Sequence, residues 1–240
     1  MHWILLRKYR MKIILFAFLF FAIAFDAKSQ LINLDINLGY GFYNLDDIKN
    51  LQNLMLTSVN IPNVKSVEKF PNSIYYSISV NHFINKKNGV GIGFSYLTTG
   101  GRNHLADYSG EYKLDMLLNG YKIGPKFQHA FFLDNKIGVW LQLEGGAIIS
   151  KLNVNEALII FDEEISKDQT DFKSTGLFVE PSLKISYNVV DRLNIHFSGG
   201  YDFNFKGDMR LDGKETAITA NWSDIRLLFG IDYSLDFKKE

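Results

Sequence analysis

Strict alternation of apolar and polar residues constrains this chain more than any other feature. The first stretch places an apolar side chain at every second position: Ile32, Leu34, Ile36, Leu38, Tyr40 and Phe42. A period of two is that of a β-strand with a single apolar face. At about 12 residues the stretch is long for a soluble strand and long enough for a tilted membrane crossing.

Seven further segments repeat this period. They lie at about 73–84, 89–98, 112–132, 137–152, 175–187, 193–205 and 222–237. In the fourth segment the apolar parity changes between Leu118 and Tyr121, which predicts a β-bulge there.

The connections between these segments alternate in length. Short ones lie near residues 85, 134 and 190, and long ones at about 44–72, 99–111, 153–174 and 206–221. Within the first long loop, apolar residues at helical spacing predict a short helix from Asp46 to Met55. We therefore expect an all-β fold, an eight-stranded antiparallel up-and-down transmembrane β-barrel with short periplasmic turns and long extracellular loops.

A soluble ligand-binding barrel would alternate as well, but its polar face would carry many Lys and Glu residues. Here the polar face is dominated by small residues such as Gly39, Gly91 and Ser79, which suit a crowded lumen. Aromatic residues gather near both ends of the apolar face. Those on the loop side are Tyr40, Phe42, Tyr76, Phe94, Tyr96 and Phe203, and those on the turn side are Phe131, Tyr187, Tyr233 and Phe237. Two such girdles predict the outer membrane of a Gram-negative bacterium.

Residues 1–29 have the pattern of a cleaved signal peptide. Met11 and Lys12 precede an apolar run, Ile13 to Phe25, which is too short to span a bilayer as a helix. Ala27 and Ser29 suit cleavage before Gln30, which leaves residues 30–240 as the barrel domain. A retained anchor is the alternative, and the sequence leaves open whether Met1 or Met11 is the start.

Composition excludes several classes of function. The chain has no Cys, which excludes disulfides, thiol chemistry and a lipoprotein attachment site. Its formal net charge is zero, and removal of residues 1–29 makes it slightly negative. The chain therefore lacks the excess of positive charge that is typical of nucleic-acid binding. No motif predicts a catalytic residue, a cofactor or a metal.

Two strand motifs carry a resemblance to a known family. Tyr121-Lys122-Ile123-Gly124-Pro125-Lys126-Phe127 and the segment from Val179 to Tyr187 resemble the strand motifs of the PorT-like outer-membrane β-barrel family of Gram-negative bacteria. The alternating Tyr233, Leu235 and Phe237 are similar to the signal that the outer-membrane insertion machinery reads. The resemblance implies the barrel fold, and some relatives are accessory components of a protein-secretion system, but fold does not imply function.

Ionisable residues on the polar face predict a network within the lumen. Its candidate members are Lys126, Glu144, Glu180, Lys184, Asp202 and Arg226. Parity and counting from the turn rim predict that Lys126 and Lys184 compensate the two glutamates and that Asp202 faces Arg226. We interpret the network as a structural plug, with a gate as the alternative.

Three functions remain open on the sequence. The first is a non-enzymatic barrel that binds a partner or braces an assembly, with the loops at 44–72 and 153–174 as candidate contact regions. The second is a narrow channel. The third is a lipid hydrolase built on His196 and Ser198, but parity places both side chains on the lumen side, away from lipid. The expected partners are outer-membrane lipid and, during biogenesis, the insertion machinery.

Overall fold

A computed structural model describes residues 30–43, 45–58, 70–106, 108, 110–161, 163–205 and 207–237. The signal peptide predicted for residues 1–29 lies outside this part of the chain. Within it, no helix is both long enough and apolar enough to cross a membrane.

The described chain contains ten strands and one helix. They are β1 (Gln30–Gly41), α1 (Asp46–Ser58), β2 (Ser73–Phe83), β3 (Asn88–Ala106), β4 (Gly110–Leu133), β5 (Ile137–Ile160), β6 (Glu163–Val190), β7 (Leu193–Phe205), β8 (Asp208–Leu211), β9 (Lys214–Thr219) and β10 (Asp224–Phe237). The helix predicted from Asp46 to Met55 is confirmed and continues for three residues more.

Eight of the strands form a closed antiparallel ring. Each of β1 to β7 pairs with its neighbour in sequence, β7 pairs with β10, and β10 pairs with β1. The closing ladder runs from Gln30 opposite Phe237 to Gly41 opposite Arg226. The expected eight-stranded barrel is confirmed. Closure pairs the backbone groups of every strand, which a bilayer requires because it offers no other hydrogen-bond partner.

Two of the predicted long loops are strands instead. The β3–β4 ladder continues to Ala106 opposite Glu111, and the β5–β6 ladder continues to Ile160 opposite Glu163. The regions 99–111 and 153–174 are therefore largely hairpins that prolong the barrel wall. Alternation is weak there because the apolar face of these extensions is short and is interrupted by polar residues.

The exposure of side chains defines a membrane-spanning band. On β4 the outward residues Ile123 and Phe127 are exposed, whereas the inward Lys122 is buried. The outward faces of β5 and β6 are apolar from Ile137 to Ile149 and from Leu177 to Val189. Each stretch has the length of a tilted strand crossing. Apolar groups outside and charged groups inside identify a transmembrane barrel, because a soluble protein would have the reverse arrangement.

The bulge predicted between Leu118 and Tyr121 is wrong. The ladder of β4 with β5 is continuous through these residues, and its irregularity lies between Ala130 and Phe132. Leu118 faces inward and is fully buried, while Tyr121 faces outward. The apolar residues change to the other face because the strand leaves the bilayer here. Within the bilayer the apolar face points outward to lipid, and above the bilayer it points inward to the cap core.

Above the bilayer, the prolonged strands enclose a small apolar core, which we call the cap. Helix α1 and the β8–β9 hairpin fill it. The apolar cluster that contains this core also reaches down into the lumen, where Leu228 lines the same cavity as Glu144. Its buried residues are Tyr43, Leu45, Ile48, Leu56, Phe70, Tyr75, Leu97, Tyr112, Leu114, Met116, Leu118, Ile148, Leu152, Val154, Phe172, Phe178, Met209, Ala220, Trp222 and Leu228. Gln52 of α1 donates to Asn103 of β3 (2.5 Å), and Thr219 of β9 donates to Asp47, so polar contacts fix both elements in place.

Candidate functional site

The turn-side half of the lumen holds a buried ion cluster. Lys184 Nζ lies 2.9 Å from Asp232 Oδ2 and 3.7 Å from Asp35 Oδ2. Lys126 approaches Asp35 to 3.5 Å from the opposite wall, and His196 Nδ1 lies 2.9 Å from Asp232 Oδ1. Two lysines, two aspartates and one histidine therefore share one site, in which each buried charge has an opposite charge beside it, as burial requires.

A second ion cluster occupies the loop-side half of the lumen. Lys122 Nζ lies 2.5 Å from Glu180 Oε2 and 3.0 Å from Asp202 Oδ2. Arg226 contacts the same aspartate oxygen at 3.3 Å. Asp202 and Arg226 are fully buried, whereas the Glu180 side chain keeps 12% exposure where it lines the lumen cavity.

Aromatic rings close the lumen above Arg226. The guanidinium carbon lies 4.8 Å from the ring centre of Tyr43 and 5.5 Å from that of Tyr75, and the group also donates to the carbonyl of Trp222 (2.5 Å). Trp222 packs edge-on against Tyr43 and donates its indole N–H to Ser150 (3.0 Å). Stacking of a cation between aromatic faces suits a dry site. The junction between lumen and cap is thus filled by side chains.

The predicted pairs agree with the structure only in part. Asp202 does face Arg226. The expected compensation of Glu180 by Lys126 and Lys184 is wrong, because Glu180 pairs with Lys122 while the other two lysines pair with Asp35. Counting from the rim fails because strands in a barrel are tilted and staggered, so equal counts on separated strands do not give equal heights.

Glu144 was also expected to have a lysine partner, and it has no ion pair among the described residues. Its Oε1 is buried without a hydrogen-bond partner there. The carboxylate lies over Gly93, where a Cβ atom would approach it to 2.7 Å, so glycine makes room for it. With Lys126 and Ser182 it lines a small polar cavity of about 20 Å³. That volume accommodates a water molecule, not a solute.

His196 and Ser198 both point into the lumen and are buried. The imidazole is held between Asp232 and Asn37, whose Oδ1 lies 2.6 Å from Nε2. Neither side chain faces the lipid. The prediction from strand alternation that both side chains face the lumen is therefore confirmed.

The outward face of the cap is polar. Arg102 forms a two-point pair with Asp115 (2.6 and 2.8 Å), and Glu111 lies 2.7 Å from Lys113 and 2.5 Å from His104. Hydrogen bonds from Lys113 and then His104 lower the pKa of Glu111. A charged outer face and an apolar interior are the arrangement of a domain in water.

The far end of the cap exposes apolar side chains. Tyr108, at the turn between β3 and β4, is 98% exposed. Phe161, at the turn between β5 and β6, is 74% exposed, and nearby Ile165 is 56% exposed. We call residues 159–166, the end of the β5–β6 hairpin, the tip. No sequence pattern distinguished these residues from an ordinary loop.

The residues expected to form the assembly signal lie on β10. Tyr233 and Leu235 face outward within the apolar band. The backbone of Phe237 pairs with Gln30, and its side chain lies outside the described residues. Their role in insertion stays a prediction.

Comparison with known proteins finds likeness in fold alone. No family model and no curated protein matches the chain. Among solved structures, Ail, the attachment invasion locus protein of Yersinia pestis, is 12% identical over 87% of this chain and 99% of its own, with a TM-score of 0.40. A major outer membrane protein from Thermus thermophilus is 10% identical over 85% and 99%, with a TM-score of 0.45. Neisserial surface protein A is 13% identical over 86% and 97%, with a TM-score of 0.36.

These values carry no information on activity. The architecture itself, a closed antiparallel barrel with an apolar exterior, places the chain in the outer membrane of a Gram-negative bacterium.

Proposed function

We propose that this protein is a non-enzymatic, non-conducting barrel that binds a partner protein outside the cell through the tip. The observation that carries the proposal is the length of β5 and β6, which continue well beyond the apolar band and end in the exposed Phe161 and Ile165. Exposed apolar residues mark contact surfaces when they cluster, and Ile160, Phe161 and Ile165 are all exposed within the tip.

The other candidate region, residues 44–72, is in part a structural element. Its helix turns Ile48 and Gln52 fully inward, so one side of the helix belongs to the cap core, while Leu54 on the other side is 70% exposed. We therefore propose residues 153–174 as the main contact region, because this hairpin ends in the exposed Phe161 and Ile165.

Two features of the interior favour a closed barrel over a narrow channel. The two ion clusters fill the lumen within the bilayer, and Trp222, Tyr43 and the cap core fill the space above them. An ion would have to displace paired charges that are already desolvated. We interpret the network as a structural plug, and the unpaired Glu144 is the residue whose substitution best tests a gate.

A lipid hydrolase is not favoured. The catalytic His and nucleophile of such an enzyme must reach one substrate in a single pose, and His196 and Ser198 are enclosed by the barrel. The two motifs of the PorT-like resemblance supply Lys122, Lys126, Glu180 and Lys184 of the lumen network. The resemblance itself implies an accessory role in secretion. We propose that family as a hypothesis.

The test of binding is photo-crosslinking in intact cells. A crosslinking amino acid at position 161 or 165 should give a discrete protein adduct, whereas the same group at Ile185, which faces lipid within the band, should not. Equal adducts at all three positions, or none at the tip, would contradict partner binding.

The test of closure is conductance. Wild-type protein and Glu144→Gln should both leave planar bilayers without defined conductance steps. Steps in the wild type would support the channel, and steps confined to the variant would support a gate.

A further inference from the structure

Three basic side chains lie in one row across the outside of the wall. Lys151 of β5 is directly opposite Lys173 of β6, which in turn is opposite Arg210 of β8. All three are exposed. Directly opposed residues of antiparallel strands share a face, with their Cβ atoms about 4.5–5.5 Å apart, and like charges in such pairs destabilise the sheet.

Neighbouring acidic groups neutralise only part of this row. Glu215 pairs with Arg210 at 2.6 Å. Asp171 shares the face of Lys173 and accepts a hydrogen bond from Asn153 (2.8 Å). In the part of the chain that the structure describes, neither Lys151 nor Lys173 forms an ion pair. The two lysines at the centre of the row therefore face each other without an ion-pair partner among these residues, with Asp171 as an acidic neighbour on the same face.

The height of the row is defined by the residues below it. The next outward pair toward the bilayer is Ile149 opposite Thr175, and Ile149 is also opposite Tyr121 at the upper end of the apolar band. Lys151 Nζ lies 5.9 Å from the ring centre of Tyr121, so its side chain extends toward the membrane. The ammonium group of Lys151 thus lies just above the hydrocarbon, where headgroup phosphates lie, and Lys173 is directly opposite it in the ladder.

We infer that Lys151, Lys173 and Arg210 form a binding site for phosphate-bearing headgroups of outer-leaflet lipid. A phosphate between the two lysines replaces their mutual repulsion with charge-assisted hydrogen bonds, and basic residues near a membrane surface attract anionic lipid. The site fixes the depth of the barrel on the side where β5 and β6 rise highest. This inference rests on the membrane placement and is independent of what the tip binds.

The experiment measures unfolding temperature in two kinds of vesicle. The protein is folded into phosphatidylcholine vesicles with and without a fixed fraction of phosphatidic acid, which supplies a phosphomonoester. Wild type should unfold at a higher temperature when phosphatidic acid is present, and Lys151→Gln with Lys173→Gln should lose most of that rise. The control is Lys167→Gln, which should keep the rise, because Lys167 lies beside the tip and is paired with Glu164.

The unfolding temperature of the double variant in pure phosphatidylcholine is a second readout. In these vesicles the double variant should be as stable as wild type or more stable, because the like-charge repulsion is gone. An equal rise in wild type and double variant would overturn the site. A rise that inorganic phosphate reproduces in pure phosphatidylcholine would overturn the lipid as its ligand.

Discussion

Leu118 and Tyr121 lie on the same strand and point to opposite sides of the barrel wall, with Leu118 fully buried inside and Tyr121 facing out at the edge of the lipid. The bilayer boundary crosses β4 between them. Below it the interior is charged, and above it the interior is apolar. The same polypeptide strand therefore serves a membrane barrel and a water-exposed cap.

Leu118→Ala should loosen the cap without opening the barrel. Removal of a buried leucine costs about 2–5 kcal/mol through lost transfer energy and the cavity that remains. Hydrogen exchange of α1 amides should accelerate accordingly, while β10 amides within the band should stay protected. The control is Leu117→Ala, since Leu117 is adjacent but 47% exposed. Equal exchange in the two variants would contradict a packed cap core.

Lys122 and Glu180 should show a strong coupling energy. Glu180→Ala strands a buried charge, and loss of one partner of a buried pair costs about 3–5 kcal/mol. The double variant Glu180→Ala with Lys122→Met should recover part of the lost stability, although Lys122 also contacts Asp202. A double-mutant cycle in urea measures the coupling. The matched cycle of Glu180 with Lys184 should be nearly additive, because Lys184 pairs with Asp232 instead. Strong coupling of Glu180 with Lys184, together with additivity of Glu180 with Lys122, would contradict this pairing and support the pair expected from the sequence.

Glu111 should titrate below an ordinary glutamate. Its pKa is lowered mainly by the hydrogen bond from Lys113 and then by that from His104. A lowered folded-state pKa contributes stability above the unfolded-state pKa, and that contribution is lost as the pH falls through the folded value. The group is exposed, so the gain is small. Carboxyl NMR titration should show the shift, and Lys113→Gln should raise the pKa toward its usual value. An unchanged titration in this variant would contradict the contact.

Phe237→Ala should impair insertion more than deletion of residues 238–240. The variant removes the last aromatic side chain of the expected assembly signal, and without that signal β10 should close less often against β1. An open seam leaves backbone groups unsatisfied in lipid, at several kcal/mol each by rough estimate. The measurement is the yield of heat-modifiable protein in outer-membrane fractions. Equal yields for the two variants would show that the assembly signal lies elsewhere.

The sequence was informative wherever one rule governed a whole strand. The period of two located all eight barrel strands, and β7 matches its predicted bounds because Leu193 to Phe205 alternate with a single small residue, Gly199, on the apolar face. The pairing of Asp202 with Arg226 was also accessible, since both lie near the loop end of neighbouring strands.

Other features depend on information that a single strand does not contain. The partners of Lys126 and Glu180 depend on barrel tilt and stagger, which set the heights of separated strands. The change of parity at Leu118 depends on where the solvent changes. The row of Lys151, Lys173 and Arg210 appears only once the register of three strands is known.

The bilayer boundary on β4 can be measured directly with single cysteines, because the chain has none of its own. Leu117, Ile123 and Phe127 all point outward, and in the protein without lipid they are 47, 49 and 42% exposed. A membrane-impermeant maleimide applied to intact outer membranes should therefore label Leu117→Cys, and Ile123→Cys and Phe127→Cys should react only after unfolding in detergent and urea. Equal labelling of all three positions in the native membrane would contradict a transmembrane barrel with its boundary between Leu118 and Tyr121.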